Sequence, residues 1–145
     1  ALACDFIYCS ASARFGQSFA NVGLIPDAGG HHFLPRAVGL DRAKDLLFTG
    51  ALIDAATALE IGLVNRVVEA DQLEQTVRAL AEKLAAGPPL ALAAIKRNLN
   101  LSRNCDLEQM LALEAEGQAL ALLTEDGREG LAAFAEKRKP VFRGR

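Results

Sequence analysis

The sequence has no tryptophan, a single tyrosine (Tyr8), a single methionine (Met110) and three cysteines, Cys4, Cys9 and Cys105. Three thiols without a C-x-x-C spacing exclude a disulfide scaffold or a zinc ribbon, and fit a reduced, cytoplasmic compartment with buried thiols. No apolar run approaches the ~20 residues that span a bilayer, and no basic segment precedes a short apolar one, so a soluble chain with no membrane partner is expected. A net charge of -2 and a pI near 5.7 give no electrostatic basis for binding nucleic acid. G-x-S-x-G, P-loop and G-x-G-x-x-G patterns are all absent. His31 and His32 are adjacent, so on a helix they diverge by about 100°, and no cysteine or glutamate stands at zinc-ligand spacing near them. No metal is expected. What is present is 145 residues, 51% of them hydrophobic, enough for a domain with a core.

The opening residues ALACDFIYCS read as an apolar strand already under way, with no initiator methionine and no polar lead-in, and residues preceding Ala1 in the intact protein are expected. Ala3 to Cys9 and Arg14 to Ala20 suit two buried strands, and Leu63, Val64, Val67 and Val68 a third. Elsewhere the pattern is helical. Asp41 is placed to cap a helix ending at Gly50, Asp54 one ending at Gly62, and Asp71 with Glu74 forms a capping-box variant ahead of Leu73, Val77, Leu80 and Leu84. Gly87-Pro88-Pro89 closes that helix, and others are expected over Leu90 to Leu101, from Asp106 to about Leu123, and over Thr124 to Lys139, the last anchored by Leu131 and Phe134. Strands come first and helices follow, which is the pattern of the end of a sheet-containing core joined to a helical region.

The centre of the sequence is FGQSFANVGLIPDAGGHHFLPR, Phe15 to Arg36. The apolar run Val22 to Ile25 meets Pro26, a single carboxylate and the pair Gly29-Gly30, a composition that makes a turn and lets backbone come close to a neighbour. Beside Leu24, Ile25 and Phe33 the Asp27 carboxylate would be poorly solvated, and so a usable proton acceptor. The alternative is that Asp27 is the N-cap of a helix beginning at Ala28; local sequence favours this, because caps far outnumber catalytic acids. The basic tail, Lys137-Arg138-Lys139 with Arg143 and Arg145, either complements the end of the last helix dipole or clamps phosphate groups.

Three separated stretches, ALACDFIYCSASARFGQSFANVGLIPDAGGHHFLPRAVG, LLFTGALIDAATALEIGLVNRVV and EGLAAFAEKRKPVFRG, resemble in order and spacing the enoyl-CoA hydratase/isomerase (crotonase) family. The resemblance covers all 145 residues but only the back part of a family member. It implies an α/β fold, residues 1–70 being the end of a crotonase-type β-β-α spiral core and residues 71–145 a C-terminal helical oligomerisation region, with self-association into a trimer or hexamer. The substrate implied is an acyl-CoA thioester, with coenzyme A entering as part of the substrate rather than as a cofactor. In the family both backbone N–H donors for the thioester oxygen, and one of the hydratases' two glutamates, precede the position of Ala1. The second glutamate falls at Phe19, which cannot transfer a proton. Family isomerases carry an aspartate in the turn matching Ile25-Pro26-Asp27, so the resemblance makes Asp27 the catalytic acid/base. It implies substrate contacts for Phe19, Leu24, Pro26 and Gly30, and contacts to the CoA adenine and phosphates for Phe134 and Lys137. The function implied is acyl-CoA double-bond isomerase. The alternatives are an enoyl-CoA hydratase or other crotonase-type lyase, and a catalytically silent assembly module lacking the oxyanion-hole segment.

Overall fold

In the computed structural model, which describes residues 1–145, the N-terminal apolar segment is extended only over Tyr8–Ser10 (β1). The expected strand from Ala3 is shorter because residues 1–4 turn back on themselves, the Cys4 N–H donating to the Ala1 carbonyl at 2.9 Å. The second expected strand is likewise reduced to Arg14–Phe15 (β2), because Ser18–Val22 winds into a 3₁₀ helix. Gly23 closes that helix at φ 73°, and the Leu24 N–H returns to the Phe19 carbonyl at 3.0 Å. Glycine alone adopts this left-handed conformation without steric cost.

Helices follow at Gly30–Val38 (α1) and Leu40–Thr49 (α2), then strand Ile53–Asp54 (β3), helix Ala55–Glu60 (α3) and strand Arg66–Val68 (β4). Strand β1 pairs parallel with β4, Cys9 opposite Val67, and β2 pairs antiparallel with β3, Phe15 opposite Ile53. Asn65 fixes the first register from both sides: its side chain accepts from the Ile7 N–H at 2.7 Å and its N–H donates to the Ile7 carbonyl at 2.8 Å. Cys9, Leu34, Val38, Ala43, Leu46, Ala55, Ala58, Leu63 and Val64 form one buried cluster, and burial pushes the Cys9 thiol pKa up. These elements make up a first compact unit, Ala1–Arg78.

Asp54 caps α3 as expected, its carboxylate accepting from the Thr57 N–H at 2.9 Å, which lowers its pKa. Asp41 does not cap α2: that helix starts a residue earlier, at Leu40, with Gly39 as N-cap, and Asp41 sits in the first turn. The capping box expected at Asp71 is also absent, because residues 70–72 form a 3₁₀ turn whose N-cap is Glu69. The helix itself is there, Leu73–Ala85 (α4).

The second unit, Ala79–Arg145, holds Pro89–Leu101 (α5), Leu107–Leu123 (α6) and Glu125–Ala135 (α7), α6 packing against both of the others. Asp106 and Gln109 form a reciprocal capping box at the start of α6. Thr124 stops α6 and starts α7, its hydroxyl donating to the Ala121 carbonyl at 2.7 Å and accepting from the Gly127 N–H at 2.9 Å. No side chain of α5 or α6 is buried. The expected apolar anchors of α7 are not anchors: Leu131 is 60% and Phe134 86% exposed, and Ala133 is the buried position. Helix α7 ends at Ala135, short of the expected Lys139, because Lys137 turns left-handed at φ 55°; the Arg138 N–H then returns to the Ala133 carbonyl and the Lys137 N–H to that of Phe134. That pairing is a Schellman closure with lysine where glycine is usual. No helix is long and apolar enough to cross a membrane.

Candidate active site

The turn carrying Asp27 is built from backbone, not from a cap. Helix α1 begins at Gly30 with Gly29 as N-cap and no side-chain cap hydrogen bond, which overturns the reading of Asp27 as the N-cap. The Asp27 carbonyl accepts from the Gly30 N–H at 2.9 Å, and between them both Ala28 (φ 46°) and Gly29 (φ 84°) are left-handed. Two left-handed central residues characterise a mirror-image β-turn, which glycine and asparagine occupy freely and alanine does not. The expectation of a poorly solvated carboxylate is also corrected: Asp27 is exposed, as are Leu24 (61%) and Ile25 (77%), whose side chains turn outward instead of closing over it. Asp27 therefore stands free of structural duty on a strained turn with apolar neighbours.

One side chain that the sequence did not single out underlies this turn. Gln17 packs so closely against Gly30 that a Cβ there would lie 2.6 Å from Oε1 of Gln17 and 3.0 Å from Cβ of Pro26. Buried Oε1 has no hydrogen-bond partner. Gln17 also lines an apolar cavity of about 140 Å³ together with Leu2, Ile7, Phe15, Leu34 and Ile53. Asp27, Phe19 and Leu24 are not part of that lining. The 3₁₀ helix bearing half-buried Phe19 is pinned to the end of α2, where the Ser18 hydroxyl donates to the Gly50 carbonyl at 3.2 Å and a Cβ on Gly50 would meet Asn21 Oδ1 at 2.6 Å. The Leu24 to Phe19 hydrogen bond joins those two residues, and Pro26 lies against buried Gly30 on the far side of the turn that carries Asp27. The only sequence signal for Gln17 was its place in Phe15-Gly16-Gln17, ahead of a turn whose glycines invite a close neighbour.

The remaining two expected site residues, Phe134 and Lys137, lie in the second unit and are exposed. The basic tail is not a row of five free cations. Arg138 forms a two-pronged pair with Glu129 (Nη1 to Oε1 2.6 Å, Nη2 to Oε2 2.9 Å) and a further contact to Glu136 Oε2 at 2.6 Å; Arg145 reaches Glu125 Oε2 at 2.9 Å. The Arg138 guanidinium, seconded by the Val141 N–H, holds the Glu129 carboxyl down at about 2, and the two carboxylates, Glu129 foremost, raise the Arg138 pKa in turn. No group of three histidine, cysteine, aspartate or glutamate side chains is placed to hold a metal.

The family model described as enoyl-CoA hydratase/isomerase matches residues 1–145. The chain belongs to this family. Among curated relatives, a short-chain-enoyl-CoA hydratase of Clostridium acetobutylicum is 41% identical over 139 residues, 96% of the chain and 53% of the relative. A 1,2-epoxyphenylacetyl-CoA isomerase of Escherichia coli is 39% identical over 145 residues, all of the chain and 55% of that protein. Among solved structures, an enoyl-CoA hydratase subunit from Geobacillus kaustophilus superimposes with a TM-score of 0.94 at 41% identity, covering 99% of the chain and 56% of its counterpart. The fold is accordingly the crotonase fold, and the chain spans about half the length of the curated relatives it matches.

Proposed function

We propose that the intact protein is an acyl-CoA double-bond isomerase in which Asp27 is the acid/base. The observation that carries this reading is that Asp27 has no capping role, stands exposed, and is displayed by a turn containing left-handed Ala28. Backbone strain persists only where the surroundings enforce it, and it gathers at functional turns. In the reaction the Asp27 carboxylate takes the proton from the carbon between the thioester carbonyl and the 3,4 double bond. The electron pair left behind delocalises onto the thioester oxygen as a dienolate, and Asp27 returns the proton at carbon 4, leaving the double bond conjugated at 2,3. Atoms balance without any co-reactant. Two N–H donors at the thioester oxygen, which the family resemblance assigns to residues before Ala1, supply the electrostatic stabilisation; one such donor is typically worth about 3–4 kcal/mol. Phe134 and Lys137 take the nucleotide end of coenzyme A on this reading. Cytoplasmic location and assembly into a trimer or hexamer belong to the same proposal.

A second reading, hydration of a 2-enoyl-CoA, has the names of several relatives in its favour, a crotonyl-CoA hydratase of Syntrophomonas wolfei at 38% identity among them. Phe19 opposes it, since phenylalanine cannot orient or deprotonate the attacking water at the place where the resemblance puts a glutamate. The test is a comparison of 3-enoyl-CoA isomerisation with crotonyl-CoA hydration by the intact protein and its Asp27→Asn variant. Isomerisation should be the faster reaction and should fall about 100- to 10,000-fold in the variant. Faster hydration, or an undiminished isomerisation rate in Asp27→Asn, removes the proposal.

A further inference from the structure

The last eight residues, 138–145, lie as a strap along α7, and three acidic side chains of that helix hold them. Asp126, only 4% exposed, accepts from two successive backbone donors, the Arg143 N–H at 2.6 Å and the Gly144 N–H at 2.9 Å, while its own N–H donates to the Arg145 carbonyl at 3.1 Å. Glu129, one helical turn on, accepts from the Val141 N–H at 2.9 Å as well as from both Nη atoms of Arg138. Between helix and strap lies a single reversal whose central residue, Lys137, is left-handed at φ 55°. A lysine in that conformation is disfavoured by itself, so the strap contacts on its far side and the Schellman closure on its near side together enforce it. Arg138 and Arg145 are taken up by carboxylates, whereas Lys137 and Lys139 carry no ion-pair partner. The strap therefore takes up two of the tail's five cations, Arg138 and Arg145, and leaves Lys137 at the reversal, where its N–H donates to the carbonyl of Phe134, whose side chain is among the most exposed apolar ones at 86%.

We infer that Asp126 and Glu129 are positioning residues for acyl-CoA binding, fixing the reversal so that Lys137 and Phe134 are set to receive a phosphate and an adenine ring. The inference rests on the reading that these two residues take the nucleotide end of coenzyme A. A lysine ammonium on a flexible stem is a poor phosphate ligand unless its backbone is fixed; the strap removes that freedom before the ligand arrives.

The experiment measures, by titration calorimetry on the intact protein, the Kd of acetyl-CoA and of acetyl-pantetheine, which lacks the nucleotide. Lys137→Ala and Glu129→Gln should each weaken acetyl-CoA about 3- to 10-fold and leave acetyl-pantetheine unchanged, and the double variant should bind no worse than Lys137→Ala alone. A merely structural Glu129 would weaken both ligands alike or neither. If Lys137→Ala shifts the acetyl-CoA to acetyl-pantetheine ratio and Glu129→Gln does not, the positioning role is refuted while the nucleotide reading stands. If neither Lys137→Ala nor Phe134→Ala shifts the ratio, the nucleotide reading fails and the inference with it. Should Glu129→Gln not fold, Arg138→Lys, which keeps the charge but loses the two-pronged fork, carries the same comparison.

Discussion

Replacing Gly30 with alanine puts a methyl group where the structure has none to spare. An ideal Cβ falls 2.6 Å from Gln17 Oε1, 3.2 Å from Gln17 Nε2 and 3.0 Å from Pro26 Cβ. Helix propensity works the other way, since alanine is favoured over glycine by up to about 1 kcal/mol within a helix. Which term wins depends on whether Gln17 can retreat. Its Oε1 is already enclosed without a partner, and the Pro26 ring is fixed in the turn, so the methyl acts as overpacking, a cost of about 1–3 kcal/mol. The net expectation is destabilisation by roughly 1–2 kcal/mol, a fall in Tm of about 2–8 °C for a chain of this size. Activity should fall further than stability, because a displacement of about 1 Å at a reacting group costs on the order of 100-fold. Calorimetric melting and isomerase turnover of the intact protein measure both. The same exchange at Gly117 inside α6 is the control: its Cβ would meet nothing nearer than Asn98 Nδ2 at 3.8 Å, so Gly117→Ala should stabilise by about 0.4–1 kcal/mol. Gln17→Ala combined with Gly30→Ala should recover part of the loss, since the clash is with Gln17. A Gly30→Ala protein as stable and active as the parent would show that Gln17 does not brace the Asp27 turn.

Three further outcomes are expected. The Glu129 carboxyl is held at about 2 against an ordinary value of 4.5, so its contribution to stability is present above pH ~4.5 and is lost as pH falls from there through 2; the Tm difference between parent and Glu129→Gln should shrink across that window and vanish only below it. Asp106→Ala removes one half of a capping box and should cost about 1 kcal/mol in a urea melt, whereas Asp71→Ala, which caps nothing, should stay within about 0.5 kcal/mol. Phe19→Glu should raise crotonyl-CoA hydration at least about 10-fold in a coupled spectrophotometric assay, and an unchanged rate would mean that the residue does not face the water.

What the sequence made legible was whatever three or four consecutive residues decide among themselves. Asp54 as a cap, Asp106 as a helix start and the glycines at 50 and 62 as helix ends are local devices, and each is found where the pattern put it. Asp71 and Asp41 carry the same signal, yet a 3₁₀ turn and a helix starting one residue early took their place. The strap was not legible, because Glu129 and Arg138 are nine positions apart and meet only through the reversal at Lys137. Nor was the role of Gln17, whose neighbour in space is Gly30. At the candidate site, the family resemblance located Asp27, while its freedom from capping came from the structure alone.

Ala28 and Lys137 are the two non-glycine residues with positive φ in the chain, and they are strained for different reasons. Lys137 closes a helix: two backbone hydrogen bonds and a strap account for its conformation, and a glycine would serve the closure equally well. Ala28 closes nothing of that kind, since α1 takes its N-cap from Gly29 and its first-turn hydrogen bonds from backbone carbonyls. What the left-handed pair at 28 and 29 achieves is a reversal tight enough for Gly30 to meet Gln17 while the preceding carboxylate stays exposed and makes no cap hydrogen bond to the helix. An uncommitted aspartate would ordinarily relax into the capping position, which offers it a backbone donor and the positive end of the helix dipole. Holding it out of that position costs stability of about 1–2 kcal/mol at Ala28, a cost for which the proposed acid/base role of Asp27 supplies a reason.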